Sequence, residues 1–261
     1  MTLHQLHDRV SSCQRCGRLR SYCQTVAREK RRAFADWEYW GRPVPGFGDP
    51  NARIWILGLA PAAHGANRTG RVFTGDRSGD FLFAALHRAG LSNQPTSVSR
   101  DDGLALHDVY ISAAARCAPP GNKPSPDEIA NCAPFLDEEW ALLSHKRVIL
   151  ALGRIGWDSA FALARRNGCV IAKPQAAFGH GAVVKLCDKL HLVGSYHVSQ
   201  QNTFTGKLTE RMFDRVIRQC VGLSQDVRVK SHRVPPAHPA REARRAVAGP
   251  EPASTGRDRS A

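Results

Sequence analysis

The sequence predicts an α/β layered domain with a mainly parallel central sheet. Short apolar runs alternate with amphipathic helical segments over residues 54–220, the pattern of buried strands linked by helices. The chain has 261 residues and is 42% hydrophobic, which suffices for one sizeable core and is too apolar for a disordered chain. It contains no internal repeat, which argues against a solenoid or a propeller.

Four apolar runs are predicted to be strands. The clearest are IWILGL and VILAL, which lack the polar alternation of a half-exposed strand. The predicted strands span residues 54–59, 109–111, 148–152 and 190–193. In sheets of this kind ligands bind where the strands end, so the loops that follow these runs are the first places to look for a site.

Helices are predicted between the strands and after the last one. Apolar residues at helical spacing indicate a helix over residues 79–89. Ser125 and Glu128 form a capping box with Pro126 at the first helical position, so a helix should start there and kink or stop near Pro134. The two further helices are predicted over residues 155–166 and 208–220.

The charge of the chain predicts a polyanionic partner. Lys and Arg number 37 against 23 Asp and Glu, a formal net charge of +14. Charge alone does not distinguish nucleic acid from an anionic membrane. Residues 228–261 hold eight basic and three acidic residues in a Pro-, Ala- and Arg-rich stretch, which leaves about +9 on residues 1–227. We therefore expect a folded domain over 1–227 and a disordered tail over 228–261, which is either a passive extension or a phosphate-binding arm.

The expected compartment is the cytoplasm. No apolar run approaches the roughly 18 residues of a membrane span, and the opening MTLHQLHDRV has no apolar signal region. In a reducing compartment the eight cysteines are predicted to be thiols or metal ligands rather than disulfides.

Four of the cysteines are candidate ligands of one metal centre. Cys13 and Cys16 form a CxxC pair in a polar context, and Cys117 and Cys132 flank a proline-rich loop. Four thiolates from distant segments can hold either zinc or an iron-sulfur cluster, and the single close pair favours the cluster. Cys117 and Cys132 alone also fit ordinary core cysteines. The other four are predicted to be structural: Cys23, Cys169, Cys187 and Cys220.

Three loops after the predicted strands carry the remaining candidate residues. In GLAPAAHGANRTGRVFTGD (58–76), small residues let backbone amides approach a flat ligand and Phe73 can stack on it, although GLAPA alone predicts only a tight turn. RCAPPGNKP (116–124) places Asn122 near a candidate ligand cysteine. SYHVSQQNTFTGKLT (195–209) is polar without an apolar period, as is typical of a binding loop.

The first and third of these loops, the segment EYWGRPVPGFGD and the cysteine set resemble the uracil-DNA glycosylase superfamily, specifically its family 5, the type-B iron-sulfur enzymes of bacteria and archaea. The resemblance runs from about residue 13 to residue 220. It implies a three-layer αβα sandwich around a four-stranded, mainly parallel sheet, with an N-terminal segment bound to a [4Fe-4S] cluster. The implied ligands are Cys13, Cys16, Cys117 and Cys132. It also implies a monomer, associated with the bacterial nucleoid, that hydrolyses the N-glycosidic bond of uracil in DNA.

The resemblance assigns roles to four side chains. His197 would donate to the uracil O2, and Phe73 would stack on the flipped base. Asp76 would activate water or stabilise the cationic sugar, although a helix N-cap or a salt bridge with Arg77 would also explain an aspartate there. Asn122 would read the edge of the base.

The resemblance also implies how the base and the duplex are held. Many relatives have Asp or Asn in the first loop, whereas this chain has alanine, so we expect a looser pocket that accepts other deaminated bases such as hypoxanthine. Residues predicted to surround the base are Gly58, Ala60, Pro61 and Ala62. Residues predicted to wedge into the duplex are Ser199, Gln200, Gln201 and Asn202.

Two other functions fit the same residues. One is a DNA-binding protein that recognises lesions without excising them, and the other is an iron-sulfur electron-transfer protein. No GxGxxG motif is present to bind a dinucleotide that would partner a redox cluster. An enzyme alone would generate abasic sites in DNA.

Overall fold

The computed structural model describes residues 1–225. Its strands are β1 (Phe47–Gly48), β2 (Ile54–Gly58), β3 (Val109–Ala113), β4 (Val148–Leu152), β5 (Val183–Cys187) and β6 (Leu190–Ser195). Its α-helices are α1 (Leu3–Ser11), α2 (Gly17–Glu29), α3 (Ala66–Thr69), α4 (Arg77–Arg88), α5 (Pro126–Leu142), α6 (Arg154–Arg166), α7 (Gln200–Phe204) and α8 (Glu210–Gln225). The predicted tail and the boundary before it lie outside the described residues.

The six strands form one sheet in the order β1-β3-β2-β4-β6-β5. The four central strands are parallel, with Ile54 beside both Val109 and Val148, and Val148 beside His191. Because these strands run the same way, their carboxyl ends share one edge of the sheet. The predicted α/β class and parallel core are therefore confirmed.

The prediction of four strands is wrong because two edge strands were missed. β1 pairs antiparallel with β3, and β5 pairs antiparallel with β6. β1 has only two residues, and Leu186 is the only fully buried residue of β5. An edge strand that is mostly exposed needs no apolar run, so neither segment carries the signal of the central strands.

Helices cover both faces of the sheet, which makes the three predicted layers. Alternate residues of the central strands point to opposite faces. Ile54 and Ile56 pack with α4 and α8 on one face. Trp55 and Leu57 pack with α5 and α6 on the other. Burial on both faces explains why the strand sequences are continuously apolar.

Helix α5 departs from its predicted length. It begins with the predicted capping box, in which Ser125 accepts from the amide of Glu128, but it continues past Pro134 to Leu142. Phe135 and Leu136 beyond the proline are buried. Phe135 packs against α1, so tertiary packing compensates for the hydrogen bond that Pro134 cannot make.

One pair of cysteines contradicts the prediction that all eight are thiols or ligands. Cys169 and Cys187 form a disulfide, with Cα atoms 5.3 Å apart. They are 18 residues apart in sequence, and only the packing of β5 near the end of α6 brings them together. No helix within residues 1–225 has the length and apolar character needed to cross a bilayer.

Candidate functional site

A cavity of about 280 Å³ opens where β2, β3 and β6 end, and we call it the site cavity. Its walls come from the three loops that follow these strands. Its lining residues are Leu59, Ala60, Pro61, Ala62, Val72, Phe73, Asp76, Ser78, Ala113, Asn122, His197, Ser199 and Gln201. Most of the residues predicted to contact substrate are therefore brought together, and the parallel strands explain why segments so distant in sequence meet here.

Three predicted residues do not line the site cavity. Gly58 lies behind the ring of Phe73, where an added Cβ would come within 2.9 Å of that ring. Gln200 lines a neighbouring cavity. The side-chain amide of Asn202 donates to the carbonyl of His197 at 2.8 Å, so it shapes the loop.

Asp76 is a half-buried carboxylate in the wall of the site cavity. It is the N-cap of α4, and its Oδ1 accepts from the amides of Ser78 and Gly79 at 2.9 and 3.0 Å. Its Oδ2 occupies the space where a side chain on residue 65 would project, so Gly65 is needed there. Within residues 1–225 it forms no ion pair, and the predicted alternative of a salt bridge with Arg77 is absent from that part of the chain.

Burial controls the protonation of Asp76. Loss of solvation raises the pKa of this carboxyl, and the nearby charge of Asp80 raises it further. The two backbone amides and the guanidinium of Arg68 oppose the effect and keep the charged form accessible. The carboxylate is thus held in an apolar setting where its charge acts strongly on a bound group.

His197 faces Phe73 across the site cavity, with ring centroids 6.2 Å apart. It follows β6, and its Cβ packs near Gly153, where an added Cβ would lie 3.3 Å away. Burial lowers the pKa of His197, so the imidazole is neutral at pH 7. A neutral ring can still donate one hydrogen bond into the cavity.

Phe73 and Asn122 enter the site cavity from left-handed backbone positions, of which that of Phe73 is strained. Phe73 has φ of 51° and Asn122 has φ of 57°, values that are costly for side chains other than Asn and Asp. Asn122 ends the short 3₁₀ turn Pro120–Asn122. Strain of this kind persists where the surrounding structure holds it, and both side chains are held against the same cavity.

A second cavity of about 700 Å³ adjoins the first and shares Ala62, Asp76 and Asn122 with it. Three arginines and two aspartates line it, so its wall has a small excess of positive charge. The guanidinium of Arg68 is 3% exposed and lies 3.9 Å from the ring centroid of Phe34. The burial of Arg68 could not be predicted, because nothing in the segment NRTGR distinguishes a buried arginine from a surface one.

The four candidate ligand cysteines approach one another from the segment between α1 and α2, the loop after β3 and helix α5. Burial raises the pKa of the Cys16 thiol, and the charges of Cys117 and Cys13 add to this. Burial likewise raises the pKa of Cys132 to about 11, with contributions from Cys117 and Cys16. Even so, no group of three or more His, Cys, Asp or Glu side chains in residues 1–225 is arranged to hold a metal ion.

The surroundings of these sulfurs fit thiolates bound to a cationic centre. The backbone amide of Arg116 points at the Cys132 sulfur at 3.4 Å. The side-chain amide of Asn131 points at the Cys16 sulfur at 3.5 Å. The Arg116 side chain is fully buried and forms an ion pair with the buried Glu139 carboxylate at 2.6 Å, and within the described residues its other two guanidinium nitrogens have no hydrogen-bond partner. The two amides oppose the effect of burial and favour negative sulfur, which is the form that binds metal.

Comparison with known proteins adds an independent observation. The family model for the uracil DNA glycosylase superfamily matches residues 45–220. A type-5 uracil-DNA glycosylase of Mycobacterium bovis is 54% identical over 84% of this chain and 81% of its own length. A type-5 uracil-DNA glycosylase of Thermus thermophilus is 50% identical over 82% of this chain and 95% of its own length. A type-4 uracil-DNA glycosylase of Pyrobaculum aerophilum is 29% identical over 73% of this chain and 83% of its own length.

Proposed function

This chain belongs to the uracil-DNA glycosylase superfamily and excises uracil from DNA by hydrolysing its N-glycosidic bond, and we propose that it does so in the site cavity. The observation that carries the proposal is that Phe73, Asp76 and His197 line one pocket at the end of the parallel strands. A base in a duplex cannot reach such a pocket, so the nucleotide must first be flipped out. The products are free uracil and an abasic site.

His197 stabilises the leaving base. As the N-glycosidic bond breaks, its electron pair goes to the uracil and negative charge develops on the ring, including O2. The neutral imidazole donates a hydrogen bond to O2, and because the side chain is largely shielded from water this bond strengthens as the charge grows. Phe73, on the opposite side of the cavity, offers its ring for stacking.

Asp76 supplies negative charge at the sugar. Departure of the base leaves an oxocarbenium-like sugar at C1′, which a half-buried carboxylate stabilises. Oδ1 is engaged by two amides, so Oδ2 is the oxygen available to orient the attacking water and accept its proton. The new C–O bond then forms at C1′.

The cavity wall next to the base is apolar, and this supports a broad choice of base. Ala60, Ala62 and Ala113 carry no polar group that could reject an altered hydrogen-bonding edge. A pocket that discriminates strongly does so by leaving its own polar groups unpaired with the wrong ligand. Asn122 and Gln201 bring side-chain amides to this cavity, and we propose that Asn122 reads the edge of the base.

We expect the purified chain to release hypoxanthine as well as uracil. The experiment compares duplexes that carry uracil opposite guanine, uracil opposite adenine, or hypoxanthine opposite thymine, with an undamaged duplex of the same sequence as the control. Excision of uracil should be faster opposite guanine, since a mismatched base is cheaper to flip. Release of uracil alone would exclude the broad pocket while leaving uracil excision intact.

We also propose that Cys13, Cys16, Cys117 and Cys132 hold a [4Fe-4S] cluster. The support is the mutual approach of the four thiols and the donors directed at their sulfurs. When bound, such a cluster fixes the segments that carry its ligands, and base excision requires no electron transfer. Arg116 and Asn131 would stabilise the thiolates, and α1 and α5 would be held together.

The purified protein should be brown, with broad visible absorbance and about four iron atoms per chain. Cys16→Ser should lose most of the absorbance and the iron, because Cys16 is one of the four ligands and is half-buried, so the change should not itself disrupt a core. Cys220→Ala, a buried cysteine of α8, is the matched control and should keep both. A colourless, active preparation that contains zinc would contradict the cluster.

The DNA is proposed to lie across the second cavity. Its arginines and His64 adjoin the site cavity, and phosphate is the anion that a bound strand would present there. We infer that the chain acts as a monomer in the bacterial cytoplasm, at the nucleoid where its substrate lies.

A further inference from the structure

Arg68 is a buried cation in the wall of the second cavity. It lies on α3 and is 3% exposed. Two other buried arginines, Arg71 and Arg116, form ion pairs with Asp102 and Glu139, whereas within residues 1–225 Arg68 forms none. Its Nη1 also has no hydrogen-bond partner in that part of the chain. Burial of an unpaired cation with an unsatisfied donor lowers stability, which indicates a role other than stability.

The guanidinium of Arg68 joins two backbone segments that adjoin Asp76. Nε donates to the carbonyl of His64 at 2.8 Å, and Nη2 donates to the carbonyl of Gly75 at 2.7 Å. His64 precedes Gly65, whose missing side chain leaves the space that Oδ2 of Asp76 occupies. Gly75 directly precedes Asp76 in the chain. The two hydrogen bonds therefore fix the backbone that surrounds this carboxylate.

Two aromatic rings hold the guanidinium of Arg68 in place. Its central carbon lies 3.9 Å from the ring centroid of Phe34 and 4.0 Å from that of Trp37. Both rings come from the segment between α2 and β1, which is distant from α3 in sequence. The planar fork of an arginine can bond two carbonyls at once and stack on flat rings, whereas a lysine ammonium is a point charge on a flexible stem. The position is therefore suited to arginine and not merely to a positive charge.

The positive charge of Arg68 acts on Asp76 without an ion pair between them in the described part of the chain. Burial and the charge of Asp80 raise the pKa of the Asp76 carboxyl, and the charge of Arg68 opposes this. Burial lowers the pKa of the guanidinium in turn, and the interactions with Tyr39 and Asp76 oppose that. The other titratable side chains that line the two cavities are Tyr22, Arg31, His64, Arg77 and His197.

We propose that Arg68 is a positioning residue for Asp76, which fixes the backbone beside the carboxylate and places a buried positive charge near it. The proposal rests on the role of Asp76 in uracil excision proposed above. Arg68 lines the second cavity and not the site cavity, so it acts on the reaction through Asp76. Loss of its two hydrogen bonds would displace the carboxylate, and loss of its charge would favour the protonated form.

The test measures single-turnover excision of uracil against pH at saturating enzyme. Arg68→Met removes the hydrogen bonds and the charge but keeps an unbranched side chain between the rings. It should lower the rate at pH 7 by roughly 10- to 100-fold, the effect of displacing a catalytic group by about 1 Å. The acid limb should move to higher pH, because the cation that lowers the pKa of Asp76 is gone. Arg68→Lys keeps the charge, so its acid limb should stay near that of the wild type while part of the rate is lost.

The same substitutions in the Asp76→Asn background separate positioning from general damage to the fold. If Arg68 acts through Asp76, Arg68→Met should cost less than about threefold once the carboxylate is absent, because the two effects are then not additive. The acid limb should also disappear in this background. Arg71→Lys is the matched control for Arg68→Lys, since Arg71 is a buried arginine that bonds to Asp102. It should leave the acid limb in place, and any change in rate should be the same in both backgrounds.

Thermal unfolding checks that each variant folds, and if Arg68→Met does not fold, the two backgrounds are compared with Arg68→Lys. An equal loss of rate in both backgrounds would overturn the positioning role, and so would a wild-type rate and acid limb for Arg68→Met. In either case the wild-type chain would still release uracil and Asp76→Asn would still lower the rate. A failure of the proposed function is distinct, because the wild-type chain itself would then release no uracil.

Discussion

Asp76→Asn is expected to lower single-turnover excision of uracil by about 10²- to 10⁴-fold, the usual contribution of a positioned acid or base. The asparagine oxygen can still accept from the amides of Ser78 and Gly79, so the cap of α4 is kept and only the charge is lost. Binding of the uracil duplex should change little by comparison. The measurement is the rate of base release under enzyme excess, with the duplex dissociation constant determined at the same salt concentration.

The pH dependence of the excision rate tests whether the Asp76 carboxylate acts in its ionised form. Excision needs the ionised form, so the rate falls as pH drops through the pKa of Asp76. Burial raises that pKa, and the fall should therefore begin at higher pH than for an exposed aspartate, whose pKa is about 3.9. The charged groups that face Asp76 are Asp80, which raises its pKa, and Arg68, which lowers it.

Asp80→Asn is the matched control for this experiment. It removes a carboxylate from the same helix turn that lines the second cavity and not the site cavity, so the rate of base release at pH 7 and saturating enzyme should stay near that of the wild type. Because one negative neighbour is lost, the acid limb should move to lower pH. An Asp76→Asn variant with wild-type rate would remove Asp76 from the catalytic residues.

His197→Ala is expected to lower single-turnover excision by about 10²- to 10³-fold, the cost of removing one donor to a developing anion. The bond from the Asn202 side chain goes to the backbone carbonyl of residue 197, so it survives the substitution. The rate of base release should fall much more than duplex binding, since the donor acts mainly when the bond breaks.

Replacing uracil by 5-fluorouracil distinguishes hydrogen-bond donation by His197 from a purely structural role in packing. 5-Fluorouracil leaves as a more stable anion, so its excision should depend less on the donor and His197→Ala should lose less activity on it. A packing defect would lower excision of both bases equally. That equal loss, or a wild-type rate on uracil, would contradict the assignment of His197.

The central strands were predictable because burial on both faces leaves a continuous apolar signal, as in IWILG and VILAL. Edge strand β5 lacks this signal because most of its residues meet solvent. The end of α5 was missed because local rules assign Pro134 the role of a breaker, whereas the packing of Phe135 against α1 carries the helix onward. The local sequence predicted where α5 starts, whereas its end depends on tertiary contacts that the local sequence does not show.

The candidate site shows the same difference between features that local sequence predicts and features that depend on tertiary contacts. The loops of Phe73, Asp76 and His197 could be located from the sequence, since each follows a predicted strand and parallel strands end at one edge. Their roles remain predictions. The burial of Arg68 between aromatic rings could not be predicted, because it depends on contacts between segments distant in sequence.

The most direct test is the identity of the molecule released from a uracil-containing duplex under enzyme excess, measured by chromatography and mass spectrometry. We expect the wild-type chain to release free uracil and to leave an equal amount of an alkali-labile abasic site. Asp76→Asn and His197→Ala should release far less uracil in the same time at saturating enzyme. Tight binding of the duplex without release of free base would contradict it and would indicate a lesion-binding protein.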